Sequence, residues 1–487
     1  MFESLREYID QVRREGRLEE ITGIDPNLEM GVLAELLVHR RREIVALCSG
    51  FGQNPTGCRV LINPMNDPGD LARVLGIQQE VRTKKEIISS WRGRYKSIDP
   101  IAIQYQANGE ILKNVLSGGD VDLNLLPPIQ WHEKDGGRFL GTGCVLVVRD
   151  PETGVVNLGT YRTQLQGARE ITALPLPGKD AWKIRQKYYD KGERCPVAIC
   201  LGQAPDLFLV ACSSFPWNIS EYDIAGGLRG RPVEVVKGPM TGLPIPASAE
   251  MVLEGEWTLP GEKTALEGPF GEWTGYYASG PSPEPVIEVT GICFRPDPVI
   301  LGCPPVRPPG ALFAEIRVAA RIWDELEQAG VPGICAVNMV PGGGGRFFSV
   351  VAINSLYQGH AKQVARIAAQ CGSGAFMGRF TVVVDADVDI FDTEEVIWAI
   401  STRCDPKTDI EVLEGCWSSS LDPVISPQAR ANGEFTNSRG LIDATIPFRW
   451  KKDFPATIRS PREIEEQILT RFPHLFARKS GVKNEID

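Results

Sequence analysis

The segment Glu267-Gly-Pro-Phe-Gly-Glu272 sets two carboxylates five residues apart across a Gly-Pro-Phe-Gly turn. Glycine lets the backbone approach a ligand closely, and Phe270 and Trp273 supply apolar walls. A carboxyl group held among aromatics has its charged form disfavoured. Its pKa rises, and it can donate a proton near neutral pH. The same fragment also suits an ordinary acidic turn. A second segment, Asn157-Leu-Gly-Thr-Tyr-Arg162, follows a turn and reads as a strand. An amide oxygen such as that of Asn157 can ligate a hard metal, and Arg162 can clamp a carboxylate bidentately. In isolation, Asn157 equally suits a turn and Arg162 a surface charge. A third segment runs Ser213-Ser-Phe-Pro and then Ser220-Glu221-Tyr-Asp-Ile-Ala-Gly-Gly. Its hydroxyls, Gly-rich backbone and one carboxylate suit a phosphate with a metal counter-ion. Ser220 also suits a helix N-cap.

The bulk composition narrows the chemistry. A chain of 487 residues predicts two or three domains. The net charge of -10 argues against nucleic acid as a partner, because phosphate-backbone binding needs clustered Lys and Arg. Twelve cysteines show no Cys-x-x-Cys pair and there are four histidines, so a zinc finger or ribbon is not expected. The start, MFESLREYIDQVRREGRLEE, carries charge from residue 3 and does not read as a signal peptide. The most apolar stretch, Cys195 to Phe215, is broken by Pro196, Gln203, Pro205 and Asp206 and suits buried strands better than a membrane helix. A cytoplasmic protein with reduced cysteines and no membrane span is the expectation. Neither a Walker-type phosphate loop nor a Gly-x-Gly-x-x-Gly after a strand occurs. PGGGGRF at 341–347 reads as a flexible loop.

The elements that must position these segments fall into four stretches. Leu5, Ile9 and Val12 share a helical face, as do Met30, Leu33, Ala34, Leu37 and Val38, so 1–115 reads as a small α/β unit. From 116 to 310, short runs rich in Val, Ile and Thr alternate with Gly/Pro turns, which predicts a closed or split β-barrel interrupted by a helix over 181–191. Leu312, Ile316, Ala319, Ile322 and Leu326 mark a linking helix within 311–330. The stretch 331–487 alternates strand-like VAINSL and TVVVDADVDI with helical segments, an α/β pattern. Its last helix has Ser460 as N-cap, Pro461 in the first turn and Glu463 at the capping-box position.

Taken together, the segments resemble the UbiD family of decarboxylases over nearly the whole chain. The resemblance rests on Asn157 with Arg162, SSFP at 213–216, SEYDIAGG at 220–227, EGPFGE at 267–272 and GHAKQV at 359–364. It continues through VVVDADVDIFDTEEVIWAISTRCDP at 382–406 and IDAT at 442–445. The resemblance implies an α+β enzyme with a split-barrel domain for prenylated FMN, a linking helix and a C-terminal oligomerisation domain. It also implies a flavin prenyltransferase as cofactor supplier, a homodimer or homohexamer, and reversible removal of CO2 from an aromatic, heteroaromatic or α,β-unsaturated acid.

Residue by residue, Arg162, Glu267 and Glu272 match the family's catalytic network. Glu272 takes the place of the proton donor, and Glu267 that of the carboxylate pairing with Arg162. The cofactor contacts carried over are Asn157, Thr160, Tyr161 and Arg162 from one segment, and Ser213, Ser214, Phe215, Pro216 and Glu221 from another. Lys179 and Lys362 complete them, Lys362 as a lysine near the phosphate. The family bridges that phosphate through a divalent metal, often Mn2+, with K+ nearby, using an Asn, a His and a Glu. Asn157 and Glu221 fill two places, and Asp180 stands where the family has His. An oxygen set still suits Mn2+ or Mg2+. Alternatively, Asp180 caps the helix that follows. The missing histidine also leaves open a non-catalytic subunit or a flavin carrier.

Overall fold

The computed structural model describes residues 1–476 apart from 53, 78–80, 82, 128, 279 and 459. It forms two compact units, 1–445 and 446–487. No helix among the described residues is long and apolar enough to cross a membrane.

The first unit is built on two large sheets. One has nine strands and runs, edge to edge, Phe139–Gly141, Thr163–Gly167, Glu170–Ala173, Ile287–Phe294, Met251–Trp257, Cys195–Cys200, Val145–Arg149, Val156–Gly159, with Asn114–Ser117 also pairing on Ile287–Phe294. Its central strands, such as VLVVR and CPVAIC, are apolar along nearly their whole length and buried on both faces. Among the described residues no pairing closes this sheet, which leaves the split form of the expected barrel and not the closed one. Its path ends at two short edge strands, of three and four residues. The outer edge at Val156–Gly159 is covered by two helices, Asp180–Asp190 and Glu221–Arg229, in place of a closing strand. That open, helix-covered edge carries the candidate site.

The second large sheet has five strands in the order Ile334–Met339, Phe348–Ile353, Phe380–Asp385, Thr436–Ala444, Ile410–Trp417. The linking helix spans Leu312–Gln328, and its five sequence-predicted apolar positions are all buried. It packs on the helix Lys84–Lys96 and on strand Ile334–Met339, which explains why Val318, Ala320 and Trp323 are buried as well.

Strand pairing crosses the boundary expected near 115. Asn114–Ser117 pairs into the nine-stranded sheet, and Val299–Gly302 returns to lie parallel to Arg59–Ile62 in a four-stranded N-terminal sheet. The sheet of the C-terminal region belongs to the first unit, whereas 446–487 stands as a unit by itself. In that second unit the helix is Arg462–Arg471, with Pro461 at the cap position and still extended at ψ 128°. The helix therefore starts one residue later than the Ser460 cap requires, and no side chain caps it.

Candidate active site

The turn after strand Thr264–Glu267 is fixed by the backbone. Gly268 adopts φ +80°, a conformation that L side chains rarely take. A Cβ on Gly136 would stand 2.0 Å from the Gly268 carbonyl oxygen, so both positions need glycine. The Gly268 N–H donates to Gln164 Oε1 at 2.7 Å and the Gly271 N–H to Asp135 Oδ1 at 2.9 Å. These bonds hold Glu267 and Glu272 on either side of one guanidinium. Arg162 donates from Nε and Nη2 to the two oxygens of Glu267 at 2.6 and 2.7 Å, and from Nη1 to Glu272 Oε1. The Phe270 ring centroid lies 5.2 Å from Arg162 Cζ. Three residues more than 100 positions apart in part of the chain thus form one cluster, with both carboxylates buried. Burial pushes the Glu272 carboxyl above the ordinary carboxylate range; Arg162 opposes this and the charge of Glu267 reinforces it.

Arg162 and Glu272 open onto a cavity of about 540 Å³. Thr160, Tyr161 and Lys179, three of the carried-over cofactor contacts, line it. So do residues that the sequence did not point to: Glu284, Arg346, Phe376, Met377 and Ser419–Leu421. Most of these come from loops at the end of the five-stranded sheet, where no local pattern marks them. Arg346 did have a local signal, the PGGGGRF run. The run is an ordered turn and not a floppy loop: Gly343, Gly344 and Gly345 are buried and Phe347 stacks on Trp273 with ring centroids 5.6 Å apart.

Asn157, Asp180, Glu221 and Pro216 line a separate small cavity of about 10 Å³, room for a single water or ion. Strand Val156–Gly159 is a sheet edge, so its outward N–H groups need another acceptor. Glu221, at the first turn of its helix, accepts from the Leu158 N–H at 2.7 Å and from Asn157 Nδ2 at 3.1 Å. Ser220 caps this helix as expected. The Asn157 Oδ1 atom is buried without a hydrogen-bond partner. Burial pushes the Glu221 carboxyl up to about 7, and the nearby Asp180 charge adds to this. An orphaned amide oxygen and two carboxylates around an ion-sized space fit a hard divalent cation. Among the described residues no trio of His, Cys, Asp or Glu does so by itself; the third oxygen around this space is that of Asn157. Asp180 is not the helix cap: the cap position is Lys179, and the Asp180 carboxylate instead accepts from Lys183 Nζ at 3.1 Å.

The other sequence-predicted contacts are placed less centrally. Ser213 donates to the Leu209 carbonyl, and Phe215 stacks on Tyr95 with centroids 6.1 Å apart. Ser214 is exposed. Lys362 lies on the helix His360–Gln370 and donates to the Thr408 carbonyl at 2.6 Å; it lines neither cavity.

Comparison with known proteins shows the family. The 3-octaprenyl-4-hydroxybenzoate carboxy-lyase Rift-related domain matches residues 104–308, and the C-terminal domain of the same carboxy-lyase matches 311–444. A phenolic acid decarboxylase of Streptomyces sp. (strain D7) is 30% identical, covering 96% of this chain and 99% of its own. A pyrrole-2-carboxylic acid decarboxylase of Pseudomonas aeruginosa is 28% identical, covering 96% of each. The UbiD-class enzyme HmfF from Pelotomaculum thermopropionicum, solved in complex with FMN, superposes with a TM-score of 0.81 at 27% identity over 95% of this chain and 98% of that one. An evolved dimeric form of HmfF, solved with prFMN, gives a TM-score of 0.79 at 26% identity over 95% and 98%. The fold is that of a carboxy-lyase. The chain belongs to the UbiD family of decarboxylases.

Proposed function

We propose that the protein catalyses reversible, non-oxidative decarboxylation of a conjugated carboxylic acid with prenylated FMN, delivered by a flavin prenyltransferase. The acid is aromatic, heteroaromatic or α,β-unsaturated. The observation that carries the reading is the Glu267–Arg162–Glu272 cluster opening on the large cavity. Prenylated FMN, when bound, supplies the electron sink for the carbon that loses CO2. The protein orients one carboxylate and manages one proton. Glu267 holds two donors of Arg162 in a fixed plane. Its third side faces Glu272, whose burial favours the neutral acid. When Glu272 is protonated it no longer competes as an anion for Arg162 Nη1, which becomes available to a substrate carboxylate. The bond to CO2 breaks, and the proton on Glu272 goes to the carbon left behind. Screening conjugated acids for CO2 release tests the reading, and its absence on every acid class would overturn it.

Asn157, Asp180 and Glu221 would hold Mn2+ or Mg2+ beside the flavin phosphate, with K+ accompanying it. A carboxylate in place of a neutral imidazole adds a negative charge next to a phosphate, which tightens the coupling between metal and cofactor. Asp180→Ala is expected to lower metal content and flavin retention together, read by elemental analysis and visible absorbance. Full metal and flavin in that variant would remove Asp180 from the site. Because Glu221 is pushed up to about 7, metal affinity should fall as pH drops below that value and the carboxylate takes up a proton.

Homo-oligomerisation is also part of the reading. In the second unit Ile464, Ile468, Leu469, Leu475 and Phe476 are exposed, an apolar set uncommon on a solvated helix pair. Removing the residues after Ser460 is expected to shift the sedimentation profile toward smaller species. A wild-type chain that sediments as a monomer at micromolar concentration would contradict this.

A further inference from the structure

The carboxylates that line the large cavity are engaged. Glu272 bonds Arg162, and Glu284 lies 3.9 Å from Arg185. Its cations are not all answered. Arg346 reaches the cavity wall because of an unusual turn. Gly344 and Gly345 both take positive φ; a Cβ on the first would press to 3.1 Å of the Trp273 ring and on the second to 3.0 Å of the Ala314 backbone. That turn is clamped between Trp273, next to the proton donor, and the start of the linking helix. It directs Arg346 into the same cavity as Glu272, with its Cζ 5.5 Å from the Phe376 ring centroid. Among the described residues Arg346 has no carboxylate within ion-pair distance. Burial and the nearby Arg317 and Arg321 pull its guanidinium down to about 9. Lys179 lines the same cavity. Behind them Arg317 has a buried Nε without a partner. A guanidinium that faces a cavity without a carboxylate partner is stabilised by an anion brought into that cavity.

We infer that Arg346 forms a subsite for a second anionic group on the substrate, so that the preferred acid carries a further carboxylate besides the one that leaves. This rests on the decarboxylase reading for the identity of the leaving group. The first carboxylate is taken by Arg162, and planar bidentate recognition of the second suits a guanidinium. The small cavity of Asn157, Asp180 and Glu221 is separate and does not include Arg346.

The test is a titration of matched acid pairs into protein loaded with prenylated FMN and metal, followed by calorimetry. The pairs are cinnamic with 4-carboxycinnamic acid, and benzoic with benzene-1,3- and benzene-1,4-dicarboxylic acid. At least one diacid is expected to bind about 10- to 100-fold more tightly than its monoacid. Arg346→Gln should abolish that preference with flavin absorbance unchanged, and Arg346→Lys should keep part of it. Equal affinity across every pair, including no measurable binding of any acid, overturns the inference. Loss of flavin in Arg346→Gln overturns it too, since the anion would then be the cofactor phosphate. If Arg346→Gln fails to fold, the wild-type pairs and Arg346→Lys still decide. Failure to take up prenylated flavin is visible in the spectrum before any acid is added and counts against the decarboxylase reading alone; the same pairs titrated into flavin-free protein then decide the subsite.

Discussion

Glu272→Gln is expected to lower turnover by about 10²- to 10⁴-fold, the usual range for loss of a general acid, while leaving the fold intact. The amide keeps the shape and can still meet Arg162 with its oxygen, so the cluster of Glu267, Arg162 and residue 272 survives. What disappears is the proton. The pH dependence carries a second signature. The Glu272 carboxyl is raised by burial, so it remains protonated above the ordinary carboxylate range. The rate should therefore fall as pH rises through that displaced value, and the descending limb should vanish in the variant. A raised folded-state pKa also means that the neutral form contributes stability at low pH, which declines as pH climbs through the folded value. Unchanged kcat with an unchanged pH profile would remove Glu272 from the mechanism.

Arg162→Leu should be damaging in a different way. The guanidinium is 12% exposed and stands between carboxylates that are 1% and 7% exposed. Its removal leaves two buried acids facing each other with no cation between them. Breaking a buried ion pair by deleting one partner costs about 3–5 kcal/mol, so the thermal midpoint should drop by several degrees. Activity should be lost below detection, since no group then orients the substrate carboxylate. A stable, active Arg162→Leu protein would show that the cluster is structural. Comparing the two variants separates the roles: Glu272→Gln keeps stability and loses rate, whereas Arg162→Leu loses both.

The sequence was most informative where function is local. EGPFGE announced two carboxylates and the glycines between them, and the positive φ of Gly268 and its contact with Gly136 show why no other residues serve. The linking helix was legible because its apolar spacing is carried by burial on more than one side. Pairing across long separations was not legible. Nothing in residues 299–302 says that they return to the N-terminal sheet, and nothing in the alternation of short strands says that the sheet stays open at Val156–Gly159. That open edge is nevertheless what gives Glu221 its N–H partner and places it beside Asn157.

Two residues illustrate the limits of reading by position. Lys362 was assigned to the phosphate by its motif, but its helix directs it to the Thr408 carbonyl. Arg346 was passed over because a run of glycines suggests mobility. Here the glycines do the opposite, allowing the chain to pack against Trp273 and the linking helix and to present a charge to the cavity. For Asp180 the cap reading falls because the cap is Lys179; its side chain lines the ion-sized cavity, and the ligand reading rests on the metal content of Asp180→Ala.

CO2 release by a single protein preparation, assayed flavin-free, with FMN and with prenylated FMN in the presence of Mn2+, bears most directly on the central claim. Release from a conjugated acid with prenylated FMN alone is the expected result, accompanied by its loss in Glu272→Gln. Equal release with plain FMN, or none from any conjugated acid when prenylated FMN and metal are bound, would contradict it.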